Sequence, residues 1–273
     1  MVTVSMFGPM SVALEHRRVA LDLGASGRLM ASYLFQFAGR VHRRECLAEM
    51  FWNDRSAAQA RAAMNTALWR LRTLLAREPQ PCGGGLSTHR DEIVFERAPW
   101  IEIDTHEFDT QARDALTVRL EEEDAERTRR LEYAAQRYAG AFLEGEDADW
   151  VIAERERLHS LYVRCLVQLT QLLAAGGDYE PAIDTARRVL AADPFRERVL
   201  RSLCILLFLN GQRAQAISDL TRWQAALSAQ VGVEAMPETL SLHAALVSGS
   251  ICNEIEHWRS SHLGTAPTRS AIA

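Results

Sequence analysis

The sequence predicts a mainly α chain with a small β component: a winged helix-turn-helix with an N-terminal β-sheet, followed by an all-α, tetratricopeptide-like helical domain. Three observations carry that prediction. Short β-type runs open the chain, a long amphipathic stretch bearing arginines follows near residue 60, and two segments 34 residues apart share the same Gly, Ala and Ile spacing.

Val2 to Phe7, Val12 to Leu14 and Val19 to Leu23 are β-type runs broken by Gly8-Pro9 and by Glu15 to Arg18, which predicts an antiparallel meander. From Arg28 to Ala38, Leu29, Tyr33, Leu34 and Phe37 recur at helical spacing, and Gly39 is placed as the C-cap. A second, shorter helix is expected over His42 to Phe51, with Cys46, Leu47 and Met50 inward and Arg43 and Arg44 at its exposed start. Backbone amides and guanidinium groups at a helix N-terminus suit a phosphate.

Ser56 to Leu75 reads as one helix. Met64, Ala67, Leu68, Leu71 and Leu75 form its apolar stripe, and Ser56 with Gln59 has the capping-box spacing. Asn65, Thr66, Trp69, Arg70, Arg72 and Thr73 fall on or beside the opposite face, with Arg61 at its edge one turn earlier. Such a face is either solvated or offered to a DNA major groove, and the neighbouring elements decide between them. Glu78 to Gly85 is a loop by composition. Beyond it Leu86 to Thr88 and Ile93 to Phe95 flank a tip carrying Arg90. Sheet, three helices and hairpin in this order make a winged helix, whose third helix reads bases while the hairpin touches the backbone.

Trp100 to Phe108 is taken as an acidic crossing segment between domains, and from Gln111 the pattern is helical. Gly177-Asp-Tyr-Glu-Pro-Ala-Ile183 and Gly211-Gln-Arg-Ala-Gln-Ala-Ile217 repeat at the tetratricopeptide period, and Ala192-Asp-Pro194 lies where one helix pair passes to the next. The expected division is a winged-helix domain over 1–100, a helical domain over 101–247, and a tail over 248–273, partly disordered, with one short helix near Ile251 to Trp258.

Charge sharpens the assignment. The chain carries a net −5, yet residues 1–100 hold 13 arginines against 9 acidic residues and residues 101–160 hold 8 against 17. Basic charge thus gathers where the amphipathic helix lies, which fits a nucleic-acid partner better than the overall balance does. The five cysteines form no Cys-x-x-Cys pair, which fits a reducing cytoplasm and gives no zinc signal. No signal peptide or membrane span is evident, so the expectation is a cytoplasmic protein without a membrane partner. Glu121 to Asp124 and Glu144 to Asp149 read as solvated helix ends rather than a cation site, and the spacing of the second lacks calcium-loop order. Cys165 and Cys204 read as core residues. Gly83 to Gly85 lacks the Gly-Lys-Ser/Thr of a phosphate loop. With no candidate nucleophile, metal set or nucleotide motif, an enzyme is not expected, and neither is a cofactor.

Residues 1 to about 246 resemble the Streptomyces antibiotic regulatory protein type of transcriptional activator, a response-regulator-like winged helix followed by the bacterial transcriptional activator domain. The resemblance rests on Leu47-Ala-Glu-Met-Phe-Trp-Asn-Asp54, Ala60-Arg61, Leu68-Trp-Arg-Leu-Arg72 and Ile103-Asp-x-x-x-Phe108. In the second half it rests on Gly140-Ala-Phe-Leu-Glu-Gly145, Trp150, Glu154-Arg-Glu-Arg-Leu158, Gly177-Asp-Tyr179, Asp193-Pro194 and Gly232-Val-Glu-x-x-Pro-Glu-Thr239. It implies binding to double-stranded promoter DNA, commonly as two copies on direct repeats, with recruitment of RNA polymerase; a homodimer is expected. Arg61, Asn65, Thr66, Trp69, Arg70 and Arg72 would then face the DNA, with Arg43 and Arg44 on phosphates and Arg90 at the wing. His42 departs from the family's usual serine or threonine N-cap, and Trp69 is bulky for a base-facing position. The rival reading is a helical interaction scaffold whose winged helix does not bind DNA.

Overall fold

The computed structural model describes residues 1–76, 85–117 and 123–262. Most of the expected loop over 78–85, Cys82, part of the acidic run over 121–124 and the last eleven residues lie outside that range. Two compact units divide the chain: residues 1–111 with 136–159, and residues 112–135 with 160–273. This differs from a division at residue 100, and the cause lies in elements whose partners are far away in sequence.

In the first unit, β1 (Val2–Ser5), β2 (Ser11–Leu14) and β3 (Arg17–Val19) form the expected meander. Its third strand lies earlier than the sequence suggested, because Glu15 and His16 make the turn with φ of 45° and 67°. Arg17 and Arg18 therefore pair with Leu14 and Ala13. The sheet has a fourth strand. β7 (Ile101–Ile103) pairs parallel with β1, in the order β3-β2-β1-β7, so the segment expected to cross between domains is built into the N-terminal sheet. The Asp104 carboxylate then accepts the backbone N–H groups of Met6, Phe7 and Thr105. Burial nevertheless pushes this carboxyl above its ordinary range.

Helix α1 runs Gly24–Gln36, four residues earlier than predicted. Two glycines made that start unattractive by propensity, but a Cβ at Gly27 would lie 3.2 Å from the Cβ of Ala67. The glycine permits close approach of α1 to α3 (Ala57–Leu75), the long amphipathic helix. His42 and Arg43, expected as the start of the second helix, lie instead in strand β4 (Val41–Arg43), and α2 covers Arg44–Phe51. β4 pairs with β6 (Glu92–Glu96), which also pairs with β5 (Gly85–His89). This pairing fixes the rotation of α2. Leu47, Ala48 and Phe51 turn inward, while Cys46 and Met50, expected inside, are exposed.

Residues 136–159 complete the first unit. Gly8 donates to Ala141 O at 2.7 Å and Leu143 to Met6 O at 2.8 Å, so Gly140–Gly145 lies along the end of β1. The Arg155 guanidinium donates to the carbonyls of Phe142, Leu143 and Glu146. Trp150 enters an aromatic cluster, its ring 5.1 Å from Tyr33 and 6.0 Å from Phe142.

The helices α4 (Asp104–Leu116), α5 (Asp124–Arg137) and α6 (Asp149–Gly176) each contain a boundary of the division. In the second unit α7 (Tyr179–Ala192), α8 (Glu197–Leu209), α9 (Arg213–Gln230) and α10 (Pro237–Ser248) pack successively, and α11 (Cys252–His262) follows. The 34-residue repeat is visible atom by atom. Gly177 and Gly211 both take positive φ, and the next residues, Asp178 and Gln212, donate to Leu173 O and Leu207 O. Two helices thus end in the same Schellman turn. Ala182 and Ala216, at the matching positions that follow, are fully buried. Cys165 and Cys204 are core residues as expected, and burial pushes both thiols up to about 12, leaving them protonated.

Candidate nucleic-acid interface

The interface is organised by α3. The Ser56 hydroxyl accepts from Gln59 N and the Gln59 side chain accepts from Ser56 N, the reciprocal capping box expected from the sequence. Ala60, Met64, Ala67, Leu68, Leu71, Leu74 and Leu75 are buried, which leaves Arg61, Asn65, Thr66 and Trp69 exposed on the other side. The 19 residues of α3 span roughly 28 Å, several turns of groove-sized surface.

The two arginines nearest its C-terminal end have partners on neighbouring elements, although Arg70 stays exposed. Arg70 donates to Asp22 O at 2.7 Å and approaches the Asp22 carboxylate at 3.3 Å. Arg72, half-buried, donates to Thr88 Oγ1 on β5 at 2.6 Å. The helix is therefore strapped on one flank to the segment before α1 and on the other to the hairpin. Trp69 is 64% exposed, standing over a shallow hollow of about 380 Å³ lined by Leu21, Leu23 and Thr73 among others.

Strand β4 gathers the expected anchors. Arg43 stands opposite Glu92 in the β4–β6 register, and Arg44 N donates to Asp91 O at 2.8 Å. Arg43 and Arg44 consequently lie beside the hairpin tip, where Arg90 takes φ 50°. The Arg44 guanidinium also donates to Asn65 Oδ1, linking the start of α2 to the exposed face of α3. Sequence reasoning missed this strand. Its three residues are too few to show alternation, and their partner lies some fifty positions on. His42 sits in β4 with its ring 5.1 Å from Tyr33, and burial holds its pKa below the ordinary histidine range. The helix cap passes to Arg43, which makes no side-chain capping bond.

Among the described residues no three His, Cys, Asp or Glu side chains cluster as metal ligands, and no helix is long and apolar enough to cross a membrane.

A winged helix-turn-helix followed by paired helices is the architecture of this chain. The sequence matches the bacterial transcriptional activator domain over residues 103–247, more than half its length, and the chain belongs to that family, as a regulator of the Streptomyces antibiotic regulatory protein type. No curated protein matches the sequence. The fold is similar to that of Mycobacterium tuberculosis EmbR, solved in complex with a low-affinity phosphopeptide. The TM-score is 0.72 at 15% identity, over 96% of this chain and 69% of that one.

Proposed function

We propose that this chain is a sequence-specific DNA-binding transcription regulator, an activator that occupies promoter direct repeats through its winged helix and contacts RNA polymerase or a second subunit. The observation that carries the reading is the capped α3 helix, whose exposed side presents Arg61, Asn65, Thr66 and Trp69 while Arg43, Arg44 and Arg90 collect at one end of the same surface. Reading falls to the exposed α3 side chains. Anchoring on phosphates falls to Arg43, Arg44 and Arg90. Arg70 and Arg72 also act as struts that tie α3 to Asp22 and Thr88. The protein works in the cytoplasm, as a homodimer, without cofactor or catalytic chemistry.

Selection of duplexes from a random library by the full chain, followed by sequencing of the bound fraction, tests this directly. A recurring motif, repeated in the same orientation, is expected. A bound pool indistinguishable from the input would overturn the proposal.

A further inference from the structure

The exposed side of α3 is not uniformly basic. With about 100° of turn per residue, Ala62, Thr66, Trp69 and Thr73 fall within roughly 40° of the line opposite the buried stripe. Arg61 and Arg72 lie roughly 80–100° to one side of that line, and Arg70 roughly 80° to the other. All four residues of the middle row are exposed, and Trp69 is the most exposed large hydrophobic side chain among the described residues. The hydroxyls in this row are already engaged. Thr66 Oγ1 donates to Ala62 O at 3.0 Å and Thr73 Oγ1 to Trp69 O at 2.9 Å, so their protons are spent on the helix's own carbonyls. Asn65, beside the row, accepts from Arg44 at Oδ1, an atom that an asparagine uses when it pairs with an adenine edge. What the middle of α3 offers a ligand is therefore methyl groups and an indole ring, bounded on both flanks by guanidinium groups.

Among the groups that base pairs present in the major groove, the C5 methyl of thymine is the apolar one; the others are hydrogen-bond donors and acceptors. We infer that the middle of α3 reads thymine methyl groups, with Trp69 as the principal specificity-determining side chain and the methyls of Ala62 and Thr66 beside it. This rests on the DNA reading proposed above and names what that reading recognises. An indole carries a single N–H donor, too little to tell base edges apart by hydrogen bonding. Its broad face, in contrast, covers a methyl group and removes it from water. The flanking guanidinium groups fit the phosphate walls on either side of a groove. An apolar protein surface laid on the same row would offer those flanks no negative charge. The tryptophan that is too bulky for hydrogen-bonded readout thus becomes the residue that selects the base.

Replacing thymine by deoxyuridine tests this, because it deletes the C5 methyl and leaves every hydrogen-bonding group of the base in place. The full chain is titrated by fluorescence anisotropy with the duplex selected from the random library, each thymine of the motif being replaced in turn. At least one replacement in each repeat should weaken wild-type binding about fourfold, the loss expected for one buried methyl. Trp69→Ala should bind the thymine duplex more weakly and no longer distinguish thymine from uracil at that position. Thr66→Ser keeps the hydroxyl and deletes only a methyl; it should shrink the uracil penalty with thermal unfolding unchanged, and it decides the matter if Trp69→Ala disturbs the helix. A motif indifferent to uracil at every thymine, a motif without thymine, or a penalty undiminished in a folded Trp69→Ala variant would overturn the inference and leave DNA binding standing. A chain that selects no duplex would remove the proposed function, and this inference with it.

Discussion

The side-chain amide of Gln36, the last residue of α1, donates to the Glu154 carboxylate at 2.6 Å across 118 residues of sequence. Its carbonyl oxygen accepts from Thr105 Oγ1 at 2.6 Å, and the backbone carbonyl of Gln36 meets His106 Nε2 at 2.8 Å. Arg157 grips both oxygens of Glu154 and also reaches Asp109. Gln36, Thr105 and Glu154 are buried, so each polar atom needs the others. The network ties the end of a winged-helix element to α4 and to the start of α6.

Removing Glu154 should therefore cost more than an ordinary surface change. Glu154→Ala strands the Gln36 amide and is expected to lower stability by about 1–3 kcal/mol; Arg157 is partly exposed and recovers hydration, which keeps the loss below that of a fully buried pair. Glu154→Gln keeps part of the bonding and should lose less. Denaturant midpoints of the two variants check the order. Equal losses would mean that charge, not hydrogen bonding, holds the network.

The same network predicts where the chain can be cut. Residues 1–100 lack Trp150, Phe142 and Glu154, and so leave open the cluster around Tyr33 and the amide of Gln36. That fragment should melt without a cooperative transition, whereas the full chain should show one for this unit. Calorimetry of the two decides, and a sharp transition in the short fragment would contradict the assignment of residues 136–159 to the first unit.

Among the arginines, the division of labour leaves separable thermodynamic traces. Arg61→Ala should cost roughly 1–3 kcal/mol on the selected site and less on random DNA, as loss of a base contact does. Arg90→Ala should weaken both in similar proportion and lower the salt slope by about one, as loss of a phosphate contact does. Arg72→Ala, which frees Thr88, should loosen the hairpin and weaken binding without changing the preferred sequence. Anisotropy titrations at several salt concentrations distinguish the three, and a changed base preference in the Arg72 variant would return that residue to the reading face.

Stability should fall on mild acidification. Burial holds the His106 and His42 rings below the ordinary histidine range, and Nδ1 of His106 and Nε2 of His42 have no hydrogen-bond partner among the described residues. The unfolded chain takes up protons near pH 6.5 that the native rings refuse. Their contribution is therefore intact above that pH and lost as pH drops through it toward the lower folded-state values. The melting temperature should decline from pH 7.5 to 5.5, with a shallower slope in His106→Gln. Parallel slopes for the two proteins would rule out His106 as a source.

What the sequence determined by itself is local and periodic. The capping box at Ser56 and Gln59, the buried stripe from Met64 to Leu75, the hairpin around Arg90 and the 34-residue turn at Gly177 and Gly211 depend on neighbours within a few residues, so spacing alone exposes them. Tertiary structure decided what depends on distant partners. β4 exists because β6 pairs with it, and β7 because β1 does; neither has the length to declare itself. Gly27 suits its place in α1 because a Cβ there would crowd Leu23 and Ala67, at 3.1 and 3.2 Å. Arg70 and Arg72 share the arginine-bearing side of α3 with Arg61, yet Asp22 and Thr88 hold them in place, and those two residues lie 48 and 16 positions away along the chain. Helical periodicity tells which side of a helix is wet. Only packing tells which wet side chains are already engaged.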